Sequence, residues 1–429
     1  MHILQQMIKD RKKKKSLGIY SACTASAMVI EAVLRRAKEN GCPALIEATA
    51  NQVNQFGGYT GMKPADFAKF VEGIADTIGF DKKNLILGGD HLGPLTWQKD
   101  TEKDAMKKAV ELVIAYTLAG FTKIHLDTSM RLADDDTTLR LSDETIANRA
   151  ATLAAAITET CKKESLPLPV FIIGSEVPIP GGAQEEEDSI SVTSPEDMKK
   201  TYKQFETAFA EKGLQESFKN VIGIVVQPGV EFGDSSIFPY SRTNAKNLTA
   251  ELKSYKTLCY EGHSTDYQPP KCLKEMVEDG IAILKVGPAL TFYQREAYFA
   301  LAAMEKVLVD EDRSDFMEVL EKVMLEKPEQ WGKYYHGTEK EQTIKRQYSY
   351  SDRIRYYLPE AQVAAAAEKL LENLAKVEIP LSVLSQFMPI EAAKVRDGKL
   401  SSTPKELVIA RIQDVLDEYL YATGIIKSL

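Results

Sequence analysis

Along the first 290 positions of this 429-residue chain, short apolar or β-branched runs ending in polar residues recur eight times, each followed by a stretch with helical periodicity. The runs are Leu17 to Ser21, Ala44 to Thr49, Asn84 to Asp90, Thr122 to Asp127, Val170 to Glu176, Val221 to Gln227, Thr257 to His263 and Ile281 to Val286. Between them lie segments such as Ala25 to Asn40, Pro64 to Ile78, Lys103 to Leu118, Glu144 to Lys162 and Pro195 to Lys212, whose apolar residues repeat at three and four. Such alternation predicts parallel strands joined by right-handed helical crossovers, and eight repeats is the number that closes a (β/α)8 TIM barrel. An open doubly wound sheet is the alternative. Against it, the first run leads into Thr24-Ala25-Ser26 in place of a GxGxxG turn, and no glycine-rich dinucleotide or phosphate loop occurs. A barrel takes about 250 residues. Residues 1–310 are therefore assigned to it, and residues 311–429, where the strand signal disappears, to a helical C-terminal extension packing on the barrel.

Composition narrows the partners. With 44% hydrophobic and 27% charged residues the chain reads as globular, and a net charge of −8 argues against a surface that neutralises nucleic-acid phosphates. The basic run Arg11 to Lys15, after an amphipathic segment Met1 to Asp10, reads as a solvated helix end. Five scattered cysteines (Cys23, Cys42, Cys161, Cys259, Cys272) without a CxxC pair indicate neither a disulfide framework nor a zinc knuckle. Nor does any apolar run approach the roughly 20 residues that span a bilayer. The expectation is a cytoplasmic protein with no membrane contact.

In a barrel of this kind the chemistry stands at the C-terminal ends of the strands, and those ends are polar here. They carry Glu47 with Asn51-Gln52-Val53-Asn54-Gln55 after it, then Asp90-His91, His125 with Asp127, Glu176, Gln227, Glu261 with His263 and Asp266, and Lys285. Three of the five histidines (His91, His125, His263) fall at such ends. Imidazoles and carboxylates converging from several strands suit a divalent metal with open positions, zinc first, with magnesium, manganese or nickel also possible. A structural hydrogen bond is the competing reading for any one of them. His125 carries the least weight, because strand alternation leaves its direction open. Asp90-His91 is the most specific pair: it ends a buried run, and Leu92-Gly93-Pro94 turns the chain behind it, so Asp90 could serve as a base beside a metal on His91.

The segments Gly262-His263-Ser264 and Lys285-Val286-Gly287-Pro288-Ala289-Leu290-Thr291 occupy the two loops where barrels commonly bind phosphate. Ser264, Lys285, Gly287 and Thr291 are accordingly candidate phosphate ligands; an ordinary turn before a helix is the alternative. The stretch Tyr348 to Tyr357 mixes hydroxyls, arginines and aromatics, and is read either as a lid whose Arg353 meets phosphate or as a packing or subunit-contact element. Gly181-Gly182 followed by Gln184-Glu185-Glu186-Glu187-Asp188 reads as a mobile acidic loop that could carry a carboxylate over the site.

Several of these segments, in order, resemble the motifs of the family described as the non-catalytic subunit of class II tagatose-bisphosphate aldolase. They are Gly88-Gly89-Asp90-His91-Leu92-Gly93-Pro94, His125-Leu126-Asp127-Thr128-Ser129-Met130, Gly174-Ser175-Glu176-Val177-Pro178, Glu261-Gly262-His263-Ser264-Thr265-Asp266-Tyr267, Asp352 to Tyr357 and Pro380-Leu381-Ser382. The resemblance spans almost the whole chain. That family is similar in turn to the zinc-dependent class II ketose-bisphosphate aldolases, barrels whose metal sits on three histidines. The likeness implies Asp90 as acid/base, His91 and His263 as metal ligands, and Glu176 as an acidic residue near the metal, with Asp127 a further catalytic candidate. A third histidine is expected near the end of the sixth run, where Val221-Ile222-Gly223 and then Gln227 stand instead; Glu176, Gln227 or Glu261 would have to complete the site.

The resemblance implies a phosphorylated ketohexose as ligand, an oligomer, and two possible functions. One is a chaperone-like subunit stabilising a separate catalytic class II aldolase. The other is an epimerase interconverting fructose and tagatose 6-phosphates. These sugars differ only at C4, whose proton is not adjacent to the C2 carbonyl, so enolisation cannot invert it, whereas breaking the C3–C4 bond can. A Schiff-base aldolase using Lys285 or Lys123 is a third possibility.

Overall fold

Eight parallel strands close on themselves in the computed structural model, which describes residues 1–429 apart from 12, 15 and 176–189. They are β1 (Ile19–Cys23), β2 (Ala44–Thr49), β3 (Leu85–Leu92), β4 (Lys123–Leu126), β5 (Val170–Ile173), β6 (Val221–Val226), β9 (Cys259–Gly262) and β10 (Ile281–Val286). Between β6 and β9 a short antiparallel hairpin, β7 (Glu231–Phe232) and β8 (Ile237–Phe238), stands apart from the barrel. Chain order is strand order around the barrel, and β10 closes onto β1. Every expected run supplies a strand, and the helix expected over Pro64 to Ile78 is found with those bounds, opened by proline at its first position. The barrel with C-terminal helices is thus the fold; the doubly wound alternative is excluded by closure.

Alternation along each strand divides the core in two. Outward residues such as Ala22, Ile46, Ile124, Phe171, Ile224, Tyr260 and Leu284 pack under the helices. Inward residues at the lower end, among them Ile19, Leu45, Ile86, Ile172, Cys259 and Ile283, form a second apolar cluster. That cluster is plugged by Leu4, Met7 and Ile8 of the helix Ile3–Asp10, each worth roughly 1.5–3 kcal/mol of burial. Arg11, the first residue of the basic run, is not simply solvated: its guanidinium donates to the carbonyls of Leu17 and Val277.

Higher in the barrel the inward residues turn polar. Lys123 is completely buried between Glu47 and Glu261, with Nζ 2.6 Å from an oxygen of each. Lys285 pairs with Glu47 and lies 3.0 Å from Asp90. Gly88 makes this possible, because a Cβ there would fall 2.6 Å from Cγ of Glu47. The bottom of the barrel is therefore oil and its upper half an ion-pair lattice.

Beyond the helix Pro288–Leu308 the chain is helical. The last helix, Pro404–Ala422, lies against Ala27–Glu39, Pro270–Asp279 and Pro288–Leu308, with Arg35–Glu406 and Arg36–Asp417 pairs at 2.9 and 3.0 Å. A short 3-10 turn, Arg353–Tyr356, returns to the barrel mouth. No helix among the described residues is long and apolar enough to cross a membrane. All five cysteines are free.

Candidate active site

Consecutive strand residues normally face opposite ways, yet Asp90 and His91 both point into the barrel mouth. The cause is local. Register between β3 and β4 shifts between Gly89 and Leu92, and His91 takes a left-handed backbone conformation with φ 48°. Such strain persists where surrounding structure over-determines it. Gly93 contributes by close approach, since a Cβ there would meet the Asp127 carbonyl oxygen at 1.7 Å.

On β4 the alternation puts Lys123 and His125 on the inner face, and His263 follows Glu261 inward from β9. The three imidazoles form a near-equilateral triangle with ring centroids 5.0 Å (His91–His263), 5.1 Å (His91–His125) and 5.2 Å (His125–His263) apart. One ligand atom from each of Asp90, His91, His125 and His263 lies within 4.8 Å of the others, and all four residues are buried.

Hydrogen bonds fix which nitrogens remain available. His91 Nδ1 is 2.7 Å from Asp127 Oδ2, while the other Asp127 oxygen accepts from the Ser129 amide and hydroxyl. His263 Nε2 is 3.1 Å from Glu261 Oε1. His125 Nδ1 lies 3.0 Å from Asp90 Oδ1 and 3.2 Å from the His91 amide nitrogen; with the ring proton on Nδ1 it donates to Asp90 and leaves the Nε2 lone pair available. His125 Nε2 is buried with no partner among the described residues, the kind of orphaned atom that a bound ion would satisfy. Three imidazoles, each beside a carboxylate and one with an orphaned nitrogen, form a donor set that fits a divalent ion.

The electrostatics agree. Burial alone would raise the Asp90 carboxyl, but the charges of His91 and Lys285 and the bond to His125 outweigh it and hold Asp90 well below the usual carboxylate range. Burial would also raise Asp127, which its bond to His91 brings down to about 2. Burial depresses His91, yet Asp90 and Asp127 together raise it, so positive charge is favoured at that ring. His263, where burial dominates, is pushed down to about 4 and stays neutral at pH 7.

The pocket above this cluster is lined by Cys23, Thr49, Asn51, Gln52 and Tyr59, by Ser264, Asp266, Lys285 and Gly287, and by Arg355 and Tyr356. Several residues expected there from the sequence stand elsewhere. Gln227 is not in the cluster: its side-chain oxygen accepts from the Gly229 and Val230 amides and so closes its own loop. The third imidazole comes instead from the fourth strand, as His125. Glu176 and the acidic stretch Gly181 to Asp188 lie outside the described residues. Thr291 is turned away, donating to Asp352 Oδ2 at 2.6 Å. Arg353 is buried against the face of Tyr334, 3.1 Å from the ring centroid, and donates to the Gln330 carbonyl; the arginine on the pocket wall is Arg355, two residues on. Ser264, with φ 52°, and Lys285 do line the pocket, although Lys285 is engaged by two carboxylates. Gly287 lines it as well, but its amide is taken by Asp266.

The model of the family described as D-tagatose-1,6-bisphosphate aldolase subunit GatZ/KbaZ-like matches residues 4–424. Among solved structures, a protein from Sinorhizobium meliloti 1021 described as a probable tagatose 6 phosphate kinase is 46% identical, with a TM-score of 0.87, over 94% of this chain and 100% of that one. A fructose-bisphosphate aldolase from Campylobacter jejuni is similar at 16% identity and a TM-score of 0.44, over 86% of this chain and 91% of that one.

Proposed function

Because the chain belongs to the GatZ/KbaZ-like family of D-tagatose-1,6-bisphosphate aldolase subunits, we propose that it works in tagatose phosphate metabolism as an enzyme, epimerising a ketohexose 6-phosphate at C4 by breaking and remaking the C3–C4 bond. The observation that carries this reading is the ionised Asp90 beside three buried imidazoles. A scaffold has no need to bury such a group.

His91, His125 and His263 would hold a divalent ion, zinc by the donor set. When bound, such an ion supplies Lewis acidity to the C2 carbonyl. Asp90, kept ionised by Lys285 and His91, takes the proton of the C4 hydroxyl. The C3–C4 electron pair then moves toward C2, leaving a three-carbon aldehyde carrying the phosphate and an enediolate fragment. Re-addition to the other face of the aldehyde restores the bond with C4 inverted, and Asp90 returns the proton to the new C4 oxygen. Enclosure of the fragments gives an epimerase; their release gives an aldolase.

The test is incubation of purified, metal-loaded protein with fructose 6-phosphate and chromatographic separation from tagatose 6-phosphate. Interconversion that falls by roughly a hundredfold or more in Asp90→Asn supports the proposal; none in wild type sinks it. The family's description as an aldolase subunit favours a second reading, a partner that stabilises a catalytic aldolase. Under that reading the chain coelutes with such an aldolase and Asp90→Asn stabilises it as well as wild type does.

A further inference from the structure

In a barrel that binds a phosphorylated sugar, the N-terminus of the helix after the last strand is a common phosphate seat, because its first amides have no partners in the helix. Here those amides are already used. Asp266 Oδ1 accepts from the Gly287 amide at 3.0 Å and the Ala289 amide at 2.9 Å, and the residue between them is Pro288, which has none to offer. A carboxylate of the chain itself thus sits where a phosphate would.

The cations of the pocket are equally uneven. Lys285 is neutralised by Glu47 and Asp90. Arg355 makes no ion pair within 4 Å among the described residues, and the longer-range charges of Asp352 and Asp266 act on it. Its Nη1 donates to the carbonyls of Ser351 and Asp352, and its Nη2 to the Tyr356 hydroxyl at 3.0 Å. A guanidinium has five N–H groups, so three bonds leave two free. The nearest acid in sequence, Asp352, is turned to Arg295 and Thr291.

We infer that the pocket selects by phosphate number: Arg355 seats one phosphate, and Asp266 closes the second position, so the site takes a ketohexose monophosphate and disfavours a bisphosphate. This rests on the reading that the pocket takes a phosphorylated ketohexose, and it assigns specificity to two residues outside the metal cluster. A second phosphate would meet the Asp266 carboxylate, and like charges in contact are a recognised means of exclusion.

Calorimetric titration of the metal-loaded protein with fructose, fructose 6-phosphate and fructose 1,6-bisphosphate separates the possibilities. Wild type should bind the 6-phosphate roughly ten- to a hundredfold more tightly than fructose, the range for charge-assisted hydrogen bonds, and gain nothing from the second phosphate. Arg355→Gln should erase the advantage of the 6-phosphate, Arg355→Lys should keep part of it, and Asp266→Asn should shift preference toward the bisphosphate. Thermal melting checks that each variant folds; if Arg355→Gln does not, the lysine and Asp266 variants decide. Tighter binding of the bisphosphate by wild type, or no phosphate-dependent binding at all, overturns the inference. Arg355-dependent binding without sugar interconversion would instead remove the proposed reaction and leave this selectivity standing.

Discussion

His91 Nδ1 and Asp127 Oδ2 meet at 2.7 Å inside the barrel mouth, so the ring is turned with its other nitrogen toward His125 and His263. Asp127 is itself fixed by Ser129. Outer-shell carboxylates of this kind set the tautomer and basicity of a ligand, and losing one typically costs about 10- to 100-fold in metal affinity. Asp127→Asn should therefore fold normally and bind zinc weaker by about that factor, as measured by competition with a chelator.

Lys123 tests the ion-pair lattice below the site. It is fully buried with Glu47 and Glu261, and its charge is favoured: burial lowers it, but the two carboxylates outweigh that and raise it. Removing one member of a buried pair leaves uncompensated charge and costs about 3–5 kcal/mol, whereas replacing all members by neutral groups is often close to neutral. Lys123→Met should lower the urea midpoint by a corresponding amount. Equal stability of Lys123→Met and wild type would show that the lattice is not formed.

Asp266 gives the fold a definite pH dependence. Burial is the largest influence and raises its carboxyl from 3.8 to about 6, despite the amides of Ala289 and Gly287. Between about pH 4 and pH 6 the native state therefore holds a proton that the unfolded chain has lost, so this group makes stability fall as pH rises. Asparagine cannot titrate. The stability of Asp266→Asn relative to wild type should improve by about 2 kcal/mol from pH 4 to pH 7, measured by urea unfolding at both values. An unchanged difference would show that Asp266 is not the titrating group.

Much of this was legible in the sequence because strand and helix periods differ and because strand ends in a barrel share one rim. Asp90-His91 stood out as a polar pair at the end of the run Asn84 to Asp90. His125 was harder to read. Its strand is only four residues long and begins with a lysine, so the inner face was recognisable only by accepting that Lys123 is buried, which depends on Glu47 and Glu261 from other strands. Arg353 and Arg355 differ by two positions on a 3-10 turn, and which of them meets the pocket is set by Tyr334 beneath Arg353. The closure of the helix amides by Asp266 joins two loops 21 residues apart and leaves no local signature.

The central claim, that His91, His125 and His263 together hold a catalytic metal, is tested most directly by elemental analysis of the purified chain after exposure to zinc and removal of excess. About one zinc per chain in wild type, and its loss in His125→Asn with the thermal transition falling to that of chelator-treated wild type, is the result predicted. Zinc retained by His125→Asn as firmly as by wild type, or wild type that holds none, would contradict it.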